Sequence, residues 1–168
     1  EPCGLIGIAE KGMMNVQYTV RSSGGHASAP LPKTPITTLA KACQSVIRHP
    51  FKMHLTKPAA EMFDTLGRHS SFALKLVFAN LWLFKPVLNL ICNSSGGEMN
   101  ALVRTTTAFT QAQGSKARNV IPAEASLVSN MRLNPADSVA EATAYLKKVV
   151  ADNSVEVEVL ESFEPSPI

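Results

Sequence analysis

Three polar side chains in this sequence have the chemical character and local setting of active-site groups. His26 follows two glycines in a turn, and its imidazole can donate a hydrogen bond to a developing oxyanion. Asn119 begins a tight Asn-Val-Ile-Pro turn, where its amide can orient a polar substrate group. The planar fork of Arg132 can bind a carboxylate through two parallel hydrogen bonds. Each also has a structural alternative: a turn histidine, a turn asparagine, and a solvated arginine on a polar strand face.

No complete catalytic or metal site accompanies these three residues in the sequence. The histidines have no acidic or histidine partner at zinc-site spacing, and there is no Cys-x-x-Cys pair. Ser28 stands two residues after His26 without a nucleophile-elbow pattern or an orienting acid, so we expect it to bond the turn or cap local backbone. No glycine loop has a phosphate-binding pattern. We therefore predict surface or helix-end roles for the other histidines, His49, His54 and His69.

The composition describes an ordinary globular chain of 168 residues, with 45% hydrophobic and 17% charged residues. A net charge of +3 without a basic patch argues against nucleic-acid binding. Three widely spaced cysteines (Cys3, Cys43 and Cys92) favour reduced thiols and a cytoplasmic location, with a secreted or vacuolar one left open. The abrupt ends at Glu1 and Ile168 suggest a single domain, 1–168, excised from a larger protein.

Alternating and helical patterns predict the elements that would hold these residues. An apolar run at Leu5–Ala9 suggests a short strand before the others. The predicted order then is a strand around 14–20, a helix from Thr34 to His49, strands around 102–111 and 123–133, a helix opened by the Ser138-x-x-Glu141 capping box, and a strand from Val155. On the first helix, the predicted buried stripe is Ile36, Leu39, Ala40, Cys43, Val46 and Ile47.

This order predicts an α+β fold, a ferredoxin-like antiparallel sheet of about four strands plus a short extra strand, with two helices on one face. Residues from about 50 to 100 are predicted to form an apolar helical insertion. Lys75, Lys85 and Pro86 interrupt its apolar run, which argues against a membrane span. We expect a helical hairpin that packs on the domain or lids a pocket, with Asn93–Gly97 as its flexible exit. A contact with a membrane surface is disfavoured by the weak polar face.

The chain resembles the small domain of the di-zinc aminoacylase/carboxypeptidase family, which includes acetylornithine deacetylase and succinyl-diaminopimelate desuccinylase. The resemblance rests on the order and spacing of Glu10-Lys11-Gly12, Gly25-His26-Ala27-Ser28 with Pro30, Asn119-Val120-Ile121-Pro122 and Asn130-Met131-Arg132-Leu133. The long insertion is most similar to the branch of Gly-Xaa carboxypeptidase and carboxypeptidase S. Asn130 departs from the acid often found two residues before the family's arginine, so no neighbouring acid is expected to orient Arg132.

The resemblance implies a lid and dimerisation domain, catalytically silent alone, of a hydrolase that cleaves N-acyl amino acids or dipeptides with a free carboxylate. Two zinc ions and a general-base glutamate would lie in the parent catalytic domain. His26 would reach across a homodimer to stabilise the tetrahedral intermediate, Asn119 would contact substrate, and Arg132 would clamp its carboxylate. Whether the insertion covers the partner surface stays open. The alternative is a stand-alone ferredoxin-like module for small-molecule binding or protein interaction.

Overall fold

Four long strands form one antiparallel sheet in the computed structural model, which describes residues 4, 7–95 and 97–167. In chain order the strands are β1 (Gly12–Arg21), β2 (Gly25–His26), β3 (Thr106–Gln113), β4 (Val120–Ile121), β5 (Glu124–Leu133) and β6 (Val155–Phe163). The sheet order is β3-β5-β1-β6, so β3 and β6 are its edges, while β2 and β4 form a separate two-stranded ladder. The α+β prediction is confirmed. Strand β3 begins later than predicted, because Leu102 and Val103 end a helix.

Two capped helices cover one face of this sheet. They are α1 (Pro35–Arg48) and α6 (Val139–Val150), and each begins with a capping box, formed by Thr34 with Thr37 and by Ser138 with Glu141. The buried side chains of β1 and β5 alternate, as the period-two pattern predicts, and they share one core with the buried residues of both helices. The sheet core comprises Met14, Val16, Tyr18, Val20, Leu39, Ala42, Val46, Phe51, Ala125, Met131, Leu133, Ala142, Leu146, Val150 and Val155.

Helix α1 buries a narrower stripe than its sequence suggests. Leu39 and Val46 are buried as expected, and Ala42 joins them. Ile36 and Ile47, which we predicted to be buried, are 52% and 65% exposed. The apolar residues of this helix therefore lie on two surfaces: some pack against the sheet, and the others are exposed to solvent.

Four helices fill the insertion predicted between about 50 and 100, in place of the expected hairpin: α2 (Lys57–Arg68), α3 (Phe72–Ala79), α4 (Leu81–Ser95) and α5 (Gly97–Val103). The chain turns at Asn80, whose side-chain Nδ2 donates to the Leu76 carbonyl at 2.9 Å, and Pro86 is accommodated inside α4. Within the described residues the segment has its own small core of Phe63, Leu88, Cys92 and Val103. Asn93–Ser95 end α4 and form no loop, while Gly96 lies outside the described residues.

The N-terminal run contributes no strand where the structure describes it. Leu5 and Ile6 of the predicted short strand lie outside the described residues, and Gly7–Ala9 have no regular structure. Gly12, the first residue of β1, has no room for a side chain, because a Cβ there would lie 2.7 Å from the Phe163 carbonyl oxygen and from the Pro165 nitrogen. Across the described chain, no helix is long and apolar enough to cross a bilayer.

Candidate functional site

The short ladder of β2 and β4 brings His26 and Asn119 together from distant parts of the sequence. Gly25 pairs with Ile121 and His26 with Val120 in antiparallel register. Beyond this pair, the Ala27 backbone N–H donates to the Asn119 carbonyl at 2.9 Å. Both side chains are exposed at the end of the sheet where β1 finishes and β5 starts. Main-chain hydrogen bonds therefore hold the two candidate groups side by side on one rim.

Gly24 supplies the backbone conformation that this turn requires. Its φ is +67°, in the left-handed region, and a Cβ there would lie 3.1 Å from the Ile121 carbonyl oxygen. Gly25 lies in β2 and is not among the described residues with positive φ, so only one of the two glycines needs the special conformation. Ser22 fixes the approach, because its backbone N–H donates to the Ala123 carbonyl at 2.7 Å and its Oγ accepts from the Gly24 N–H at 3.0 Å.

Ser28 determines which nitrogen of His26 carries the proton. The Ser28 backbone N–H lies 3.2 Å from His26 Nδ1, and the Ser28 Oγ lies 2.7 Å from the same nitrogen. A backbone N–H can only donate, so Nδ1 must accept and the neutral imidazole must carry its proton on Nε2. Ser28 therefore forms local contacts, as expected, and they are made with the imidazole ring of His26. Nε2 of the exposed ring remains available to donate to a ligand.

Arg132 lies at the opposite end of the sheet from His26. It pairs with Met13 near the start of β1, whereas Glu124, close to the histidine turn, pairs with Arg21. At about 3.3 Å per residue, Arg132 and Glu124 are separated by roughly 25 Å along β5. The side chain is exposed on the polar sheet face, and within the described chain it forms no hydrogen bond or ion pair. One chain therefore does not gather all three candidate residues into a single cluster.

Lys11 stands beside Arg132 and was given no role by the sequence reasoning. Its Nζ donates to the Arg104 carbonyl at 2.9 Å. Burial lowers the pKa of Lys11 to about 8, the charge of Asp137 opposes this change, and the charge of Arg132 adds to it. The only sequence signal was its place in Glu10-Lys11-Gly12. This end of the sheet therefore presents two basic groups, a setting that suits an anionic ligand group.

Asn130, two residues before Arg132 on β5, forms its side-chain hydrogen bond with a residue of β1. Its Nδ2 donates to Asn15 Oδ1 at 2.8 Å, and the Asn15 amide donates in turn to Glu161 Oε2 at 3.2 Å. The polar face of the sheet thus has a side-chain network of its own, which runs from β5 across β1 to β6. Arg132 stands outside that network and is free to meet a ligand.

The other histidines have structural roles, as predicted for His49 and His69. His49 ends α1, and its Nδ1 donates to the Ser45 carbonyl at 2.8 Å, while His69 ends α2. His54 Nε2 lies 3.3 Å from Asp137 Oδ1. Among the described residues, no group of three or more His, Cys, Asp or Glu side chains could hold a metal ion. These residues therefore provide no ligand set for zinc.

An apolar groove of about 700 Å³ adjoins the open edge of the sheet. One wall is the exposed side of α1, including Ile36, Ala40 and Ile47, and the other is formed by β3 and β5 with Ala112 and Leu127. Strand β3 is an edge strand, so its outer main-chain groups have no strand partner within the described sheet. An exposed apolar surface beside an open strand edge is typical of a self-association site.

Comparisons with known proteins give matches over most or all of this chain. A family model described as a peptidase dimerisation domain matches residues 8–158. The chain is 38% identical to the N-fatty-acyl-amino acid synthase/hydrolase PM20D1 of Xenopus tropicalis over 169 aligned residues, which cover all of this chain and 33% of that protein. It is 33% identical to the probable carboxypeptidase S-like 2 of Dictyostelium discoideum, again over all of this chain and 32% of the relative. The chain thus spans about a third of the length of these relatives.

Solved structures show the same fold at low sequence identity. The dipeptidase Dug1p of Saccharomyces cerevisiae matches 94% of this chain with a TM-score of 0.61 and 13% identity, over 37% of its own chain. Human carnosine dipeptidase 1 matches 94% of this chain with a TM-score of 0.56 and 14% identity, also over 37% of its own chain. In both cases the domain described above is the part that matches.

Proposed function

The chain belongs to the peptidase dimerisation domains of the M20 family, and from this premise we propose that it is the lid and dimerisation domain of a zinc-dependent hydrolase. The parent enzyme would cleave N-acyl amino acids or dipeptides that carry a free carboxylate. Relatives named N-fatty-acyl-amino acid synthase/hydrolases favour substrates with a long acyl chain. A stand-alone binding module is not favoured, because the family match extends over residues 8–158.

The observation that carries the proposal is the separation of the candidate residues into two groups. His26 and Asn119 share one rim of the sheet through the contact between Ala27 and Asn119. Arg132 lies at the other end of β5, beside Lys11. We infer that one domain serves two active sites of a dimer: Arg132 belongs to the site of its own subunit, and His26 with Asn119 belongs to the partner's site.

Each group has a defined chemical task in this scheme. The Nε2–H of His26 donates to the oxygen that gains negative charge as the amide carbonyl becomes tetrahedral. The Asn119 amide orients a polar group of the substrate, and Arg132 binds the substrate carboxylate with two N–H groups. The zinc ions implied by the family have no ligand set among the described residues, so we place their ligands in the parent catalytic domain.

We infer that two copies associate through the edge of β3, which would bring together the two subunits that this division of labour requires. The groove between α1 and β3 has apolar walls, and the edge strand offers a second copy main-chain groups that have no strand partner among the described residues. The helices α2–α5 contribute no residue to the lining of this groove. We therefore propose that the insertion leaves this dimer surface uncovered.

Heterodimers of the full-length enzyme test the two-group scheme directly. Subunits with His26→Ala and subunits with Arg132→Ala are co-expressed with different tags, and the mixed dimer is purified. Each homodimer is expected to be nearly inactive. The mixed dimer contains one intact site and one doubly defective site, so it should recover about half of the wild-type kcat with normal zinc content.

The matched control is the mixed dimer of His26→Ala and Asn119→Ala. Both residues come from the same subunit to the same site in our scheme, so each site of this dimer lacks one group and activity should stay low. Recovery in this control would contradict the pairing of His26 with Asn119. If the mixed dimer of His26→Ala and Arg132→Ala does not recover activity, the two-group scheme is wrong.

The role of Ser28 is tested by the substitution Ser28→Ala in the same enzyme. The change removes the hydroxyl at 2.7 Å from His26 Nδ1 and leaves the backbone donor in place. We expect kcat to fall by about tenfold, because the ring loses one of two contacts that hold Nε2–H toward the substrate, and KM and zinc content should change little. A rise in KM with unchanged kcat would instead indicate that Ser28 contacts the substrate.

A further inference from the structure

A second cavity lies between the end of α1, helix α5 and the first residues of β3. Its volume is about 170 Å³. Val46 and Phe51 belong to its apolar walls, whereas Asn100, Arg104 and Thr107 are polar residues of its lining. Apolar walls with a few polar groups are the usual composition of a site for a small molecule. This cavity is therefore a candidate ligand site at the junction of the helical segment with the sheet.

The guanidinium of Arg104 is a buried positive charge without a carboxylate partner. Arg104 is only 2% exposed, and it forms no ion pair with a described residue. Its Nη1 donates to the Phe51 carbonyl at 3.0 Å, and its Nη2 donates to Asn89 Oδ1 on α4. Its Nε is buried and has no hydrogen-bond partner among the described residues. Burial lowers the pKa of Arg104, yet an arginine side chain stays protonated in proteins, so its charge favours an anionic ligand.

Asn100 of α5 adds an acceptor to the same lining. Its Oδ1 is buried and accepts no hydrogen bond from the part of the chain that the structure describes. Thr107 pairs with Met131, which is fully buried, so the Thr107 side chain lies on the sheet face that the helices cover. Its hydroxyl can donate or accept. A ligand that satisfies this lining needs a negative charge for Arg104 and a hydrogen-bond donor for Asn100.

The volume of the cavity limits the size of this ligand. Since a water molecule takes up about 30 Å³ in the liquid, a cavity of about 170 Å³ holds roughly six non-hydrogen atoms. Glycine and alanine are of this size, and each has a carboxylate and an ammonium group. Water alone could satisfy the hydrogen bonds of the lining, but a neutral molecule leaves the charge of Arg104 without a counter-charge.

We propose that this cavity binds a small α-amino acid, with the carboxylate on Arg104 and the ammonium group on Asn100. The Nε–H of Arg104 donates to a carboxylate oxygen, and such a bond between charged groups is roughly twice as strong as a neutral one. The ammonium group donates to Asn100 Oδ1. A methyl side chain lies against the apolar walls formed by Val46 and Phe51.

The residues of this cavity have no role in the hydrolysis proposed above. Thr107 and the covered sheet face are on one side of the sheet, whereas Arg132 is exposed on the other. The proposed hydrolase would release a free amino acid from each substrate molecule. A site for a small amino acid would then let this domain bind a product of the reaction, a consequence that rests on the proposed function.

Calorimetric titration of the full-length enzyme with alanine tests the proposal. The enzyme carries Arg132→Ala throughout, so that the arginine assigned to the substrate carboxylate does not contribute to binding. Acetate lacks the ammonium group and ethylammonium lacks the carboxylate, and each should bind at least about tenfold more weakly than alanine.

Three variants locate the binding in the cavity. Arg104→Met should weaken alanine binding by at least about tenfold. Asn100→Leu should weaken alanine binding by about tenfold and leave acetate binding unchanged, because acetate has no donor for Oδ1. Arg48→Met is the matched control for the loss of a charge: Arg48 is exposed at the end of α1 and does not line this cavity, so alanine binding should not change.

The proposal is wrong if alanine does not bind, if acetate binds as tightly as alanine, or if Asn100→Leu binds alanine normally. If Arg104→Met does not fold, the comparison of alanine with acetate in Asn100→Leu decides alone, because that change leaves the contacts of Arg104 with Phe51 and Asn89 in place. Hydrolysis of an N-acyl amino acid is measured separately, with Arg132 intact. Its absence would contradict the proposed function, whereas the alanine titration reports on the cavity.

Discussion

The sheet with its two covering helices and the segment α2–α5 bury apolar side chains to very different extents. In the described residues, the sheet core contains fifteen buried hydrophobic residues, and the core of the helical segment contains four. Yet the segment includes the most apolar run of the sequence, Ser70–Ile91. High hydrophobicity therefore does not by itself produce a large core. A core forms when the apolar residues recur on a side that meets another element, as they do in β1 and β5.

Helix capping also differs between the two helices that cover the sheet and the helices of the segment α2–α5. The caps Thr34 and Ser138 each accept a backbone hydrogen bond within a capping box, and their helices lie on the sheet. Thr56 and Ser71 occupy the equivalent positions of α2 and α3, but their side chains form no cap hydrogen bond there. The sheet helices thus have local and tertiary stabilisation together, whereas α2 and α3 have weaker local ends.

Replacing a leucine by alanine in each region should give the largest difference between the two regions in the free energy of unfolding. Leu146 of α6 is fully buried and Leu90 of α4 is 68% exposed, so the same substitution removes the same atoms from two different environments. Leu146→Ala should lower the free energy of unfolding by about 3 kcal/mol, because it leaves a cavity in the sheet core. Leu90→Ala should change it by less than about 0.5 kcal/mol. Urea unfolding followed by circular dichroism measures both. Similar losses at the two positions would contradict the exposed position of Leu90 on α4.

Removing the hydroxyl at the N-cap of a helix should give a smaller difference between the two regions in the free energy of unfolding. Ser138→Ala deletes the hydroxyl that accepts from the Glu141 backbone N–H at 3.2 Å, and we expect a loss of about 1 kcal/mol. Ser71→Ala is the matched control, since no cap hydrogen bond is present there, and its effect should stay within about 0.3 kcal/mol. Midpoints of thermal unfolding compare the pair. An equal loss at Ser71 would show that α3 depends on its first turn as much as α6 does.

Much of the fold was predictable because its signals are local. Alternation in Met14–Val20 and Ala125–Leu133 reports a strand with one buried face whatever its neighbour. The capping box of Ser138 and Glu141 announces the start of α6 within four residues. Ile36 and Ile47 show the limit of such signals. Their spacing fits a buried stripe, but only the position of the sheet decides which part of the stripe is covered.

The candidate site was predictable as a set of residues and not as an arrangement. Sequence motifs indicated His26, Asn119 and Arg132, and gave no information on which of them are neighbours. The ladder of β2 and β4 joins the first two, and the length of β5 separates the third. Lys11 was missed because a lysine on a polar segment has no pattern of its own, and its lowered pKa depends on groups from other elements.

The sequence by itself determined the four long strands, the two helices that cover the sheet, and the identity of the residues capable of chemistry. These properties depend on periods of two and 3.6 residues and on turn chemistry, all of which act within a few positions. The tertiary structure decided the strand order, the free edge at β3, and the distance between His26 and Arg132. Those features arise from contacts between segments far apart in the chain, and no local pattern specifies which distant segment will be the partner.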